Sequence, residues 1–221
     1  MRLTCELKKR FLHKDEVTLV INGATAVTLT SGDVTELSLP ACERYYLTLA
    51  TDKPYDGVTV LICESDAVRL TVTRQKKSFA LDTEGARIEV LPLGRLLTAM
   101  CDEGQILNLT EWERDALFGL YYLDLNHRDA ILESVHLLEI RDALLSLGLP
   151  ELSERLSCAI ASCELPLPLD PMKKLTPEEQ TALVEGYHIL WSREEGAPDG
   201  EEARVLVRIY DYIWEKQRDG A

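Results

Sequence analysis

The spacing of apolar residues changes once along this chain, near Pro92. Before that proline, apolar and polar residues alternate in short runs, which is the pattern of half-buried β-strands. After it, apolar residues recur every three or four positions, which is typical of amphipathic helices. Strands in one half and helices in the other predict an α+β fold rather than βαβ units. We therefore predict a β domain over residues 1–92 and a helical domain over residues 93–221.

The first half contains short runs rich in Thr and Val, separated by turn residues. The clearest run, residues 17–21, leads into Asn22-Gly23, a pair that tolerates the positive φ angles of a tight hairpin turn. Further strands are predicted over residues 3–12, 25–30, 34–39, 45–50, 58–63, 67–73, 78–81 and 86–91. Short connections join antiparallel neighbours, so the pattern predicts an antiparallel β-sandwich or a small barrel.

The longest helical pattern runs over residues 109–148. Thr110 and Glu113 have the spacing of a capping box, and Gly148 followed by Pro150 is a typical helix end. Asn126 is placed to cap a second helix, so this run predicts a helical hairpin. Residues 175–191 and 201–218 predict another hairpin, and both hairpins start with Leu-Thr-x-x-Glu, as a duplication would. The second domain is therefore expected to be all-α, with two helical hairpins.

The charge is distributed unevenly between the two halves. Residues 1–95 contain 13 Lys and Arg and 13 Asp and Glu, whereas residues 96–221 contain 11 and 25, which accounts for the whole net charge of −14. An acidic surface repels phosphate, so nucleic acid is not the expected partner. One combination of residues would suit single-stranded nucleic acid, namely Tyr45 and Tyr46 with the basic clusters at residues 8–10 and 74–77. An alternative function uses the acidic charge itself: the helical half would act as a mimic of nucleic acid.

The chain lacks the apolar run of a signal peptide and any apolar run long enough to cross a membrane, so we expect a cytoplasmic protein. Six cysteines are spread widely along it, which favours free thiols over a disulfide framework in that compartment. Cys158 and Cys163 form the only close pair and would supply half of a zinc site.

Two Glu-x-x-His motifs are the sharpest enzymatic signal, because pairs of such motifs hold two metal ions in some helical bundles. Glu185 and His188 fall on the polar side of their predicted helix. The other motif, Glu133 and His136, lies beside apolar positions and is the basis of an alternative function, a metal-dependent enzyme. We identify no catalytic set, metal site or cofactor site in the sequence.

The last predicted helix, residues 201–218, is apolar over more than one face when its residues are placed at 100° intervals. One face is formed by Leu206, Ile209, Tyr210 and Ile213. The residues that extend its two edges are Val205, Val207, Tyr212 and Trp214. A helix with more apolar surface than one packed face requires is typical of an interface, so these four are the predicted partner-binding residues. The sequence thus favours a non-catalytic interaction or accessory protein that binds a protein partner, or itself as a homodimer, through the helical domain.

Overall fold

A computed structural model of the protein describes residues 1–9, 15–50, 58–75, 79–125, 136–162, 176, 178 and 200–220. Its contacts divide the chain into two compact units, Met1–Gly94 and Arg95–Ala221. The first, the β unit, contains two sheets, and the second, the helical unit, contains helices. The fold is therefore α+β, as the change in apolar spacing predicts.

The β unit is built from two open sheets. Its strands are β1 (Arg2–Leu7), β2 (Glu16–Ile21), β3 (Thr25–Thr30), β4 (Val34–Ser38), β5 (Arg44–Ala50), β6 (Val58–Cys63), β7 (Ala67–Arg74), β8 (Phe79–Glu84) and β9 (Ala86–Leu91). One sheet has the order β4-β1-β7-β8 and the other β3-β2-β5-β6-β9. Alternate residues of both sheets, such as Leu3 and Leu19, are buried in one hydrophobic core. Of the two predicted arrangements, the structure therefore has the sandwich and not the closed barrel.

One strand pair departs from the antiparallel pattern. Strands β1 and β7 run parallel, with Arg2 opposite Ala67 and Leu7 opposite Val72. Parallel neighbours need a long connection rather than a tight turn. The chain between β1 and β7 supplies that connection, because it contains four strands of the other sheet as well as β4. All other pairs between named strands are antiparallel in the described residues.

The turn predicted at Asn22-Gly23 joins β2 to β3. Asn22 and Gly23 have φ angles of 53° and 70°, and the Ala24 N–H donates to the Ile21 carbonyl oxygen at 3.2 Å. The Asn22 side-chain oxygen also accepts a hydrogen bond of 2.8 Å from the Tyr46 N–H. Asn22 thus shapes the turn and attaches it to the neighbouring strand β5.

The helical unit contains α1 (Gly94–Cys101), a 3-10 helix (Glu103–Asn108), α2 (Glu111–Leu125), α3 (Leu137–Ser146), α4 (Pro150–Ser162) and α5 (Glu201–Asp219). Helix α2 packs against α3 and α5, and α3 packs against α4. The first predicted hairpin is therefore formed by α2 and α3. Its predicted cap, Asn126, and most of residues 175–191, with the duplication that they would support, lie outside the described residues. No helix in the described part of the chain is long and apolar enough to cross a membrane.

Both predicted ends of the 109–148 run have the expected local structure. At the start, the N–H and the hydroxyl of Thr110 each donate to Oε2 of Glu113 at 2.8 Å. At the end, Leu149 N–H donates to the Leu144 carbonyl oxygen at 2.8 Å, and Gly148, with φ of 72°, donates to that of Leu145 at 2.9 Å. This is the Schellman pattern of a helix C-terminus. Pro150 then begins α4, where a missing N–H has no consequence.

Replacing Gly148 by alanine is expected to lower the free energy of unfolding of the helical unit by about 1 to 2 kcal/mol, because a side chain disfavours the left-handed conformation by that amount. The new Cβ would also lie 3.1 Å from Nη2 of Arg208. Urea unfolding followed by circular dichroism measures the change. Gly220→Ala is the matched control, since Gly220 has φ of −96° and its added Cβ meets its nearest atom at 3.5 Å. Equal stability of the two variants would contradict the expectation.

Candidate functional site

Helix α5 contains the predicted partner-binding residues. Burial extends beyond the face of Ile209 and Ile213 onto both edges of the helix, as its apolar pattern predicts. Of the four edge residues, the buried ones are Val205, Tyr212 and Trp214, and the half-buried one is Val207. The three buried side chains are covered by the protein's own chain rather than exposed to solvent. Their role in binding a partner stays a prediction.

The edge of α5 that contains Tyr212 is attached to α2. The Tyr212 hydroxyl donates to Oδ2 of Asp115 at 3.0 Å. Burial, together with this hydrogen bond and the negative charge of Asp115, raises the pKa of Tyr212 above its usual range. The ammonium group of Lys216 lies 5.5 Å from the centre of the Tyr212 ring, within the range of a cation–π contact. Tyr212 therefore has both its ring and its hydroxyl engaged within the helical unit.

The first turn of α5 is held by an ion pair between a buried glutamate and a half-buried arginine. The Glu201 side chain is 8% exposed, and Nη1 of Arg155 on α4 lies 3.1 Å from each of its carboxylate oxygens. The Tyr122 hydroxyl of α2 donates to Oε1 at 3.4 Å, and burial followed by the charge of Glu201 raises the pKa of Tyr122 above its usual range. These three side chains join α2, α4 and α5 at one point. In the sequence, Glu201 belongs with Arg204 and Arg208 to a polar strip that lies outside the apolar face and edges of α5, and the sequence contains no local signal for this network.

Two arginines of the same strip contact the turn between α3 and α4. Arg208 donates from Nε to the Leu147 carbonyl oxygen at 2.6 Å. A cation at this position stabilises the negative end of the α3 dipole. Nη2 of Arg204 lies 2.6 Å from Oε1 of Glu151 in the first turn of α4. The polar side of α5 is therefore also used to hold the helical unit together.

His136, from the motif that supports a metal-dependent enzyme, begins α3 and packs among aromatic rings. Its ring centre lies 5.3 Å from that of Phe118 and 6.0 Å from that of Tyr121. Its Nδ1 is 3.9 Å from Oε1 of Glu139. Glu133 lies outside the described residues, and among those described no group of three or more His, Cys, Asp or Glu side chains is placed to hold a metal ion. The metal-dependent enzyme therefore remains an untested alternative.

Where the remaining sequence signals fall on residues that the structure describes, they lie on the surface or in the core without forming a site. Tyr45 and Tyr46 are buried, and the Tyr45 hydroxyl donates to the Pro40 carbonyl oxygen, so neither ring is available to stack a base. Cys158 is exposed, and its predicted zinc partner Cys163 lies outside the described residues.

Two exposed leucines lie close together in sequence near the start of the helical unit. Leu107 in the 3-10 helix is 85% exposed, and Leu97 in α1 is 41% exposed. Both belong to residues 94–111, which we call the leucine segment. Its exposed acidic residues are Asp102, Glu103 and Glu111. The sequence does not single out these leucines, because a helical pattern alone does not show which leucines lack a neighbour.

The leucine segment is held in one conformation by buried anchors and by Arg95. Its buried side chains are Leu96, Ala99, Ile106 and Leu109. Arg95 donates from Nη2 to the Asn108 carbonyl oxygen at 2.6 Å, and its Nη1 lies 2.9 Å from Oε1 of the buried Glu113. The Asp102 carboxylate accepts from the Gly104 N–H at 3.1 Å and so caps the 3-10 helix. The exposed leucines are thus presented by an ordered backbone.

No family model, no curated protein and no solved structure matches this chain. The geometry of the chain itself is therefore the basis for a functional proposal.

Replacing Arg155 by leucine is expected to destabilise the helical unit by about 3 kcal/mol, because Glu201 would be left buried without a counter-charge. Replacing both residues by leucine removes that buried charge and should recover most of the loss. The matched control is Arg204→Leu, which breaks an exposed pair worth less than about 1 kcal/mol. Urea unfolding compares the three variants. If Arg155→Leu and Arg204→Leu cost the same, the buried pair does not have the role assigned to it.

The helical unit is also expected to unfold in alkaline solution. Burial raises the pKa of Tyr210 from 10.0 to about 12. Between these values the unfolded chain has lost the tyrosine proton and the folded chain has kept it, so stability falls as the pH rises through this window. Circular dichroism and tyrosinate absorbance should change together there, and Tyr210→Phe should weaken the dependence on pH. Complete tyrosine ionisation near pH 10 with the helices intact would contradict this.

Proposed function

We propose that the protein is a non-catalytic interaction or accessory protein that binds a protein partner, or a second copy of itself, through its helical unit. The observation that supports this most directly is the exposure of Leu97 and Leu107 on an ordered segment. Burying a leucine removes apolar surface from water and contributes about 1.5 to 3 kcal/mol. A partner that covered both side chains would gain much of its affinity from them.

The order of the leucine segment favours binding over chance exposure. Association costs free energy when loops and side chains must be fixed, and a backbone that is already fixed avoids part of this cost. Arg95 fixes the backbone at Asn108, next to Leu107, through the hydrogen bond to its carbonyl oxygen. The two leucines therefore need little further ordering when a partner covers them.

The charge of the surroundings indicates the chemistry of the partner. Residues 96–221 contain 25 Asp and Glu against 11 Lys and Arg, and Asp102 and Glu103 are exposed beside the leucines. Complementary charges steer encounter and select partners. We therefore expect a partner surface with an apolar centre and a basic rim, and binding that weakens as salt concentration rises.

The buried carboxylates are consistent with a structural role. Glu201 faces Arg155 and Glu113 faces Arg95 within ion-pair distance. These groups hold helices together, and we assign no catalytic step to them.

The variant Leu97→Gln/Leu107→Gln is expected to bind the partner at least about tenfold more weakly, because two apolar contacts are lost. The partner would be identified by mass spectrometry after capture from native cells on the full-length chain, and its affinity then measured by calorimetry with purified components. Leu145→Gln is the matched control, since Leu145 is exposed on α3 outside the leucine segment. Equal affinity of the double variant and wild type, with unchanged circular dichroism, would rule out the leucine segment as the binding surface.

A further inference from the structure

Strand β9 lies at the end of the five-stranded sheet and pairs with β6 on one side. On its other side no backbone hydrogen bond to another strand is formed within the described part of the chain. Natural edge strands usually avoid pairing with other chains by means of a lysine, a proline or a bulge. Strand β9 has the sequence Ala-Arg-Ile-Glu-Val-Leu, and its Val90 is 66% exposed. Its open edge is therefore a surface on which a further strand can add.

The hydrogen bonds at the start of β9 determine which backbone groups face outward. The Glu64 N–H donates to the Gly85 carbonyl oxygen at 3.1 Å, so the backbone of Gly85 faces β6. Backbone groups alternate between the two sides along an antiparallel strand. The positions that face away from β6 are therefore Ala86, Ile88 and Val90.

Two further observations support this assignment and show where the open edge of β9 begins and ends. The Ala86 carbonyl oxygen accepts a hydrogen bond of 2.7 Å from the Thr83 hydroxyl, which lies outside the β6 pairing. The next outward position after Val90 is Pro92, which has no N–H to donate. The Ala86 carbonyl oxygen keeps its second lone pair for a further donor, so the open edge extends from Ala86 to Val90.

We propose that the protein forms a homodimer by antiparallel pairing of β9 with β9 of a second copy, about a two-fold axis at Ile88. The two Ile88 residues exchange both backbone hydrogen bonds, and Ala86 of each copy does the same with Val90 of the other. The exposed Val90 side chain then lies beside the small Ala86 of the second copy. Two five-stranded sheets become one continuous sheet. This interface lies on the β unit and does not rest on the function proposed for the helical unit.

The charges on β9 favour a second copy as the occupant. In the proposed dimer, Arg87 and Glu89 occupy the non-hydrogen-bonded pairs of the two β9 strands. At such pairs the side chains on the two strands come closest. About the two-fold axis, Arg87 of each copy faces Glu89 of the other. In the single chain these side chains lie on one face, with Nη2 and Oε1 3.1 Å apart, Arg87 exposed and Glu89 half-buried. The pairing therefore places two pairs of opposite charge across the strands, and such pairs stabilise a sheet.

The other three edges lack this self-complementarity. On β4 the Leu39 N–H donates to the Met1 carbonyl oxygen, so by alternation Glu36 is the central outward residue and would face its own copy. Strand β8 has two acidic residues, Asp82 and Glu84, and no basic residue. Strand β3 has only Thr, Ala, Val and Leu, so no charge sets a register there. Strand β9 alone combines an exposed large apolar residue with charges that match those of a second copy.

Sedimentation velocity of the full-length chain over a range of concentrations tests the proposal. Wild type should pass from monomer to dimer as concentration rises. Glu89→Arg and Arg87→Glu should each weaken the dimer at least about tenfold, because two pairs of opposite charge become two pairs of like charge. An equimolar mixture of the two variants should restore a dimer, since each variant then supplies the charge that the other needs.

Proline variants test the backbone part of the same interface. Val90→Pro removes an outward N–H of β9 and should abolish the dimer, whereas Val34→Pro removes an outward N–H of β4 and should leave it unchanged. Circular dichroism confirms that the variants fold. A wild type that stays monomeric at high concentration, a dimer that is insensitive to the single charge changes, or a mixture that does not reassociate would each overturn the proposal.

Discussion

The ion pair between the half-buried Arg155 and the buried Glu201 is the interaction on which the arrangement of the helical unit depends most. A buried carboxylate is strongly disfavoured without a partner, so α4 and the start of α5 must meet wherever Glu201 is buried. Tyr122 adds α2 to the same point. Once the first turn of α5 is fixed there, both apolar edges of the helix are directed into the unit. The burial of Tyr212 and Trp214 follows from this constraint.

Because α5 is fixed on several sides by its own chain, our proposals place binding on other parts of the surface. The polar strip of α5 is itself engaged, because Arg208 caps α3 and Arg204 pairs with Glu151. The exposed large apolar side chains include Leu97 and Leu107 of the leucine segment and Val90 at the edge of β9. These two surfaces suit different occupants. The acidic leucine segment suits a basic partner, and the self-complementary edge of β9 suits a second copy of the chain.

The sequence predicts those features that depend on a few neighbouring residues. The strands over residues 58–63 and 86–91 have the predicted bounds, because alternation and turn residues define them locally. Thr110 with Glu113 and Gly148 with its following residues form the predicted helix ends for the same reason. The α+β class is correct because the apolar period changes only once along the chain. Local rules of this kind act within a turn or a strand.

Long-range pairing is what the sequence does not determine. Nothing near β1 shows that it pairs in parallel with β7, since that choice depends on the order of strands in space. A charged residue such as Glu201 is expected at the surface until its arginine, 46 positions away, is known. Likewise, the sequence does not distinguish Leu107 from the other leucines, and only the structure shows that it is exposed. The charges of Arg87 and Glu89 can be interpreted only when β9 is known to be an edge strand.

The central claim is that α5 is buried by its own chain, and the binding surfaces that we propose lie elsewhere. Hydrogen exchange of the α5 backbone amides, followed by mass spectrometry at several protein concentrations, tests this directly. Our account predicts strong protection of residues 205–214 in dilute, monomeric protein, with no increase as concentration rises. Protection that appears only at concentrations where the protein associates would show that a second chain covers α5, and would contradict the account.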